Sequence, residues 1–308
     1  MEMPNNRIER HSGQAAADGV LTGAVHPRRC GTKERLMGNK PELTVETGAR
    51  AWDTIWKWTW FTRDQWLSEF RKWKEGTRRA LQSLLPKLEV ESVLDCSCGL
   101  GWKSIILAEM GYETEGSDGS AFAVRCASKL AEDEGLDLRF FRSRWENLGR
   151  TCGRKYDCVY NDAFAWITTR KALLSSAQGV CSVLKRGGKF IFQGADEWTG
   201  DQEKGLLIKQ EFEREGPFEV LPIHEKDGVR LIVLITREVT PDGVLGNRVH
   251  IVDDHGTVRI EVARVLDCCK WSWSDYVDAF DKAGFRKLYS VKERGVGKKP
   301  YILNVAVR

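Results

Sequence analysis

Val93-Leu94-Asp95-Cys96-Ser97-Cys98-Gly99-Leu100-Gly101 is the stretch that decides the fold. An apolar run of strand character ends in an acid, and two glycines let the backbone turn tightly. Glycines without a Cβ leave room for a ligand. The amides of a helix that begins near Trp102 face that ligand. The helix is WKSIILAEMG, stopped by Gly111. A second acid, Asp118, followed by Gly119, ends the next strand, YETEGSDGS. A carboxylate there suits the two hydroxyls of a ribose, because each ionised oxygen accepts a hydrogen bond.

Two ligands fit this geometry. A dinucleotide loop reads G-x-G-x-x-G/A, and here the third position is Ser104. Asp95 sits four residues before Gly99, where an acid can reach a cationic amino group that a pyrophosphate lacks. S-adenosylmethionine has a ribose, an ammonium and no phosphate. A turn with incidental glycines is the plainer reading. It leaves the spaced acid and the strand–helix order unexplained.

Outward from the loop, strands and helices alternate. Residues 120–134 read as a helix, LRFFRSRW and KYDCVYND as strands, and 169–184 as a helix leading into the strand KRGGKFIFQG. Strands separated by helices predict a parallel sheet with right-handed crossovers. VRLIVLITREV and RVHIVDDHGTVRIEV break the rhythm as antiparallel strands joined by Asp-Gly and His-Gly turns. WSDYVDAFDKAGF returns to a helix, and FRKLYSV and YILNVAV close the chain as strands.

The domain boundaries follow. Residues 1–45 form a mobile N-terminal arm and 46–88 a Trp-rich helical cap. Residues 89–200 form the cofactor-binding core, and 201–265 an antiparallel insertion that covers the substrate. Residues 266–308 supply the C-terminal helix and closing strands.

Composition excludes several classes. Of 308 residues, 42% are hydrophobic and 30% charged, which rules out a disordered or collagen-like chain. No apolar run approaches the ~18 residues of a membrane span. A net charge of +4 from 48 basic and 44 acidic residues is too balanced for a nucleic-acid wrapper. MEMPNNRIER lacks a basic n-region followed by an apolar h-region, so no secretory signal is expected. The nine cysteines include Cys96, Cys98 and Cys268-Cys269, with no CxxC. No metal site is expected, and reduced thiols point to the cytoplasm.

Twelve tryptophans are the oddity, and six lie within residues 52–73. Trp52, Trp56 and Trp60 are spaced by four, which puts three indoles on one helical face. They form either an aromatic wall at the substrate entrance, favouring a cationic methylated amine, or a packing stripe. Trp66, Phe70 and Trp73 also follow helical spacing.

DCSCGLG, Asp118, Ser-Arg-Trp at 143–145 and Asn-Asp-Ala-Phe-Ala-Trp at 161–166 resemble class I S-adenosylmethionine-dependent methyltransferases. The nearest branch is the glycine/sarcosine N-methyltransferase-like one. The resemblance is specific over residues 90–195 and looser over 220–308. It implies an α/β fold with a doubly wound, mostly parallel seven-stranded sheet of Rossmann-like type, a helical cap and an antiparallel insertion. It also implies that Asp95, Cys96, Gly99 and Gly101 flank the methionyl part. Asp118 and Gly119 would take the ribose, and Arg144 and Trp145 would border the adenine, with Asn161 nearby. In that branch the segment matching Asn161–Trp166 reads G-N-S-F-A-H, so Trp166 replaces a histidine. An arginine that follows the fifth strand there is missing from Phe192–Asp196.

The expected activity is methyl transfer to a small molecule, an amine before other acceptors. Asn161, Asp162 and Tyr160 are the catalytic candidates, since the fourth strand of the core delivers them to the crevice. Asp162 would accept from a substrate N–H, or simply cap the following loop. Trp56, Trp60, Trp166 and Asp196 are the substrate candidates. O-, S- and arsenic methylation are alternatives, although Cys96 and Cys98 alternate at a strand end and do not share one ion easily. Asn161–Phe164 also resembles the N/D-P-P-Y/F motif of nucleic-acid amine methyltransferases without its prolines. A nicotinamide oxidoreductase and a non-catalytic cofactor-binding module are the readings from other classes. No membrane partner is expected and nucleic acid is not favoured, while the arm at 1–45 is placed to reach a neighbouring subunit.

Overall fold

The computed structural model describes residues 41–198, 212–213, 215–269, 271–294 and 300–308. Two sheets organise them. The first has seven strands in the order β12-β13-β6-β5-β2-β3-β4. Here β2 is Ser92–Asp95, β3 Glu113–Asp118, β4 Arg139–Arg142, β5 Tyr156–Asn161 and β6 Leu184–Phe192. These five pair in parallel. The closing strands β12 (Lys287–Arg294) and β13 (Pro300–Val307) run antiparallel at one edge. The expected doubly wound, mostly parallel sheet is therefore present, with β2 buried at every position because helices cover both of its faces.

The helices begin where the sequence offers caps. Ser120 accepts from Ala123 N at the start of α4 (Ala121–Asp133). Thr169 accepts from Ala172 N to start α6 (Arg170–Val183). Between them lies the short α5 (Leu148–Thr151). Ser272 and Asp275 form a capping box at α7 (Trp273–Lys282). The helix after the glycine loop, α3 (Trp102–Glu109), starts on Gly101 at φ +86°.

The second sheet, β1-β11-β10-β9-β7 with β8 beside β9, stands apart from the first. Its long strands are β9 (Val229–Thr240), β10 (Gly243–Asp254) and β11 (Thr257–Cys269), with β7 (Phe218–Val220) and β8 (His224–Lys226) at one side. Asp227-Gly228 and His255-Gly256 take left-handed φ values at the turns, as two-residue hairpins require. Its remaining strand, β1 (Glu42–Thr47), pairs in parallel with β11. Two expected boundaries therefore shift. The arm's last residues are a strand, and β11 runs four residues past Val265. A strand's partners lie far along the chain, so neither end was marked locally. Residues 1–40 of the arm lie outside the described residues.

The cap comprises α1 (Gly48–Phe61) and α2 (Arg63–Leu84), then a single 3-10 turn to Leu88. Ala51 and Ile55 pack on Ala263 and Val265 of the second sheet. Trp58 packs among Leu231, Val233 and Val252 and donates to Glu261 at 2.7 Å. So α1 rests on one sheet while its other side looks toward the glycine loop of the first. The side chains of Trp66, Phe70 and Trp73 lie outside the described residues.

Candidate active site

The glycine loop bends between β2 and α3 through Gly99 at φ +52° and Gly101 at φ +86°. A Cβ on Gly101 would stand 2.8 Å from the Cβ of Ala127. Beneath the loop, Asp95 is fully buried. Its carboxylate accepts from Ser104 Oγ at 2.8 Å and from the Ser97 amide at 3.4 Å. Burial pushes it up to about 6. Asp95 thus braces the loop and the first turn of α3 from inside, one oxygen engaged by each.

Asp118 lies half-buried beside the loop. One oxygen accepts from the Gly99 amide at 3.0 Å and the other from the Ser120 amide at 2.9 Å. Each oxygen retains acceptor capacity for a hydroxyl. Burial raises its pKa. A Cβ on Gly119 would meet nothing within 4 Å, so the space next to the carboxylate is open. Trp145 donates its indole N–H to the Cys96 carbonyl at 2.6 Å, which fixes the ring along the loop. A glycine cradle, a carboxylate with acceptor capacity to spare and an aromatic flank fit the adenosyl and methionyl parts of S-adenosylmethionine. Arg144 is exposed and reaches Glu146 at 3.9 Å, so its side chain leaves this flank.

The end of β5 closes the other side. Asn161 is fully buried, its Oδ1 accepting from Ala163 N at 2.8 Å and its Nδ2 3.3 Å from Cys96 Sγ. Asp162 accepts from Ser97 Oγ at 3.0 Å, and its amide donates back to that hydroxyl at 3.3 Å. The same carboxylate forms an ion pair with Lys103. Lys103 is a buried lysine on the first turn of α3. Its ammonium lies 4.7 Å from the Trp102 ring centre and 5.7 Å from that of Tyr160. Burial brings its pKa down to about 8. Tyr160 itself is buried in a core cluster with Val93, Ile191 and Val305, away from the crevice surface. Lys103 was missed in the sequence because WKSIILAE reads as an ordinary helix. The available signal was a lysine and a serine on the face that the adjacent apolar residues bury.

Three tryptophans converge above the loop. Trp52 stacks on Trp166 with ring centres 5.3 Å apart and planes 5° from parallel. Trp56 lies 5.9 Å from Trp52. A Cβ on Gly99 would stand 2.9 Å from the Trp56 ring, so this indole closes over the loop. The segment is pinned by Asp53, which accepts from the Ser120 hydroxyl. Trp60 does not join them. Successive residues four apart advance 400° around a helix, so Trp60 is turned about 80° from Trp52. It packs against the cluster of Ile105, Leu130 and Ala131. Asp196 is buried and accepts from the Trp198 amide at 2.9 Å, as an acid organising a turn does.

Comparison with known proteins identifies part of the chain. Residues 93–188 match the family described as "Methyltransferase domain". Over 170 residues the chain is 26% identical to a glycine/sarcosine N-methyltransferase of Parasynechococcus marenigrum, covering 54% of this chain and 59% of that protein. Over 136 residues it is 29% identical to the 23S rRNA (uracil(1939)-C(5))-methyltransferase RlmD of Methylococcus capsulatus, covering 43% and 29%. The chain thus spans less than two thirds of either relative. The fold is similar to that of SAM-bound CalS10, an amino pentose methyltransferase from Micromonospora echinaspora, with a TM-score of 0.52 at 16% identity over 82% of this chain and 96% of that one. Residues 93–188 are thus a methyltransferase domain, carried on a fold shared with S-adenosylmethionine-dependent methyltransferases.

Proposed function

We propose that this protein transfers a methyl group from S-adenosylmethionine to a small-molecule amine, leaving the N-methylated product and S-adenosylhomocysteine. When bound, the cofactor supplies a methyl group already activated by a sulfonium. The remaining task is to hold an acceptor lone pair in line with it. Asp162, ion-paired with Lys103, accepts a hydrogen bond from the acceptor N–H and orients the lone pair. The amine's proton then passes to that carboxylate or to water.

The observation that carries the amine reading is the Trp52–Trp166 stack beside Trp56. Indole faces at the crevice favour a nitrogen that becomes cationic as it is methylated. A curated relative is named as an N-methyltransferase, in keeping with this reading. With Trp166 in place of histidine and no arginine at Phe192–Asp196, glycine and sarcosine are not the expected acceptors. Arsenic is disfavoured as acceptor, because burial raises the thiols of Cys96 and Cys98 well above their ordinary range. We place the protein in the cytoplasm on the free cysteines among the described residues. Among those residues no helix is long and apolar enough to cross a membrane.

A screen of amines, phenols, thiols and arsenite, followed by S-adenosylhomocysteine release, tests the proposal. Turnover is expected with amines, and turnover confined to phenols, thiols or arsenite would overturn it. Calorimetry with S-adenosylhomocysteine and with NAD accompanies the screen. Asp118→Ala should weaken S-adenosylhomocysteine binding by about 10- to 100-fold through the lost ribose acceptor.

A further inference from the structure

The second sheet has two faces, and only one of them is used by the cap. Strand register places Val45, Val262, Val249, Leu234 and Val220 side by side across five strands. A second aliphatic row, from Leu43 to Ile232 across four strands, runs next to it. Both rows project on the face opposite Ala263, Val233 and Val252, where α1 packs. Leu43 is 62% exposed, Val45 53% and Val220 54%, and the central residues are only half-buried. Contiguous aliphatic rows of this width are uncommon on a solvated surface.

The rows beyond them are mainly polar and mixed in sign, with Phe218 and Val258 as apolar members at their ends. Arg264 lies on one side, bonded to Asn247 at 2.8 Å. Asp253 lies on the other, with Glu225 paired to Arg230 at 2.6 Å. With about 4.8 Å between strands and about 6.8 Å between rows, two apolar and two polar rows cover roughly 650 Å². That approaches the ~800 Å² per partner of a standard stable interface. The arrangement has an apolar centre and a polar rim.

We propose that this face is the contact between two copies of the chain, packed sheet on sheet about a two-fold axis. Face-to-face sheets bury such rows against each other as a sandwich core. An axis running across the strands sets the Arg264 side of one copy over the Asp253 side of the other, which closes the contact and matches its charges. A lipid surface fits less well, because the rim lacks a basic excess.

Sedimentation velocity on the full chain, from about 1 to 100 µM, tests this. The wild type should sediment as a dimer. Val249→Lys, at the centre of the patch, should raise the dissociation constant at least about 100-fold, with an unchanged circular dichroism spectrum. Val45→Lys, on the edge strand, should act in the same direction and is the variant least able to disturb folding. A wild type that is monomeric at 100 µM would overturn the proposal, whether or not it binds vesicles. So would a dimer that survives both folded variants.

Discussion

Lys103 and Asp162 form an ion pair that joins the first turn of α3 to the residue that follows β5. The carboxylate also takes the Ser97 hydroxyl. One acid thus ties the glycine loop, α3 and the acceptor side together. Lys103→Met should lower kcat/KM by about 10- to 100-fold, the size of a lost hydrogen bond to a charged group. Lys103 sits near 8, so wild-type activity should fall as pH rises through that value and the ammonium loses its proton. Lys103→Arg should retain activity and remove the alkaline fall. Initial rates of S-adenosylhomocysteine release across pH 6–10 read both effects, and an unaltered profile in Lys103→Arg would refute the assignment.

Gly99 is constrained twice, by its left-handed φ and by the Trp56 ring. Gly99→Ala should cost about 1–2 kcal/mol from φ alone and more from the contact. Trp56→Leu should recover the contact portion and leave the φ portion. Thermal melts of wild type, both single variants and the double variant measure the coupling. Strict additivity would show that the ring does not press on the glycine.

Trp60 and Trp166 should separate by phenotype. Trp60→Leu opens a gap against Ile105 and Leu130, so the melting temperature should drop by several degrees, with S-adenosylhomocysteine affinity unchanged. Trp166, 36% exposed and stacked on Trp52, should tolerate Leu in melts yet raise the acceptor KM. Melts and initial rates with an amine found in the screen would show whether the two effects are reversed.

His250 is buried beside Trp58, and burial takes its pKa down to about 4. The unfolded chain binds that proton near 6.5, so stability should decline as pH falls from about 6.5 toward 4, by on the order of 3 kcal/mol. Asp95 acts with the opposite sign over part of this window, because its raised pKa makes the folded state take up a proton below about 6. Comparing urea midpoints of wild type and His250→Phe at pH 7 and 5 isolates the histidine, whose removal should flatten the acid slope.

The cofactor side was legible because its signals are local. Asp95, the two glycines and Asp118 lie within one strand–helix–strand unit, and chemistry and spacing can be read there together. The acceptor side was less legible because its partners are distant. Lys103 meets Asp162 only once β2 and β5 lie side by side. ELTVET becomes a strand only when β11 supplies its hydrogen bonds. The indole stripe was half legible: i+4 spacing placed Trp52 and Trp56 together, and the 40° drift per step carried Trp60 to another neighbour. Asn161 and Asp196 had side chains suited to chemistry, but their own loops use them as turn acceptors.

The fourteen-residue α1 begins at an edge of one sheet and reaches the glycine loop of the other. It is a rod about 21 Å long. Trp56 stands about 12 Å along it from Gly48, so pressure on its ring should be carried through the packed helix to β1. A ligand that settles under Trp56 should slow amide exchange in residues 42–47, though it touches none of them. Loosening that strand should in turn weaken ligand binding by an equal free energy.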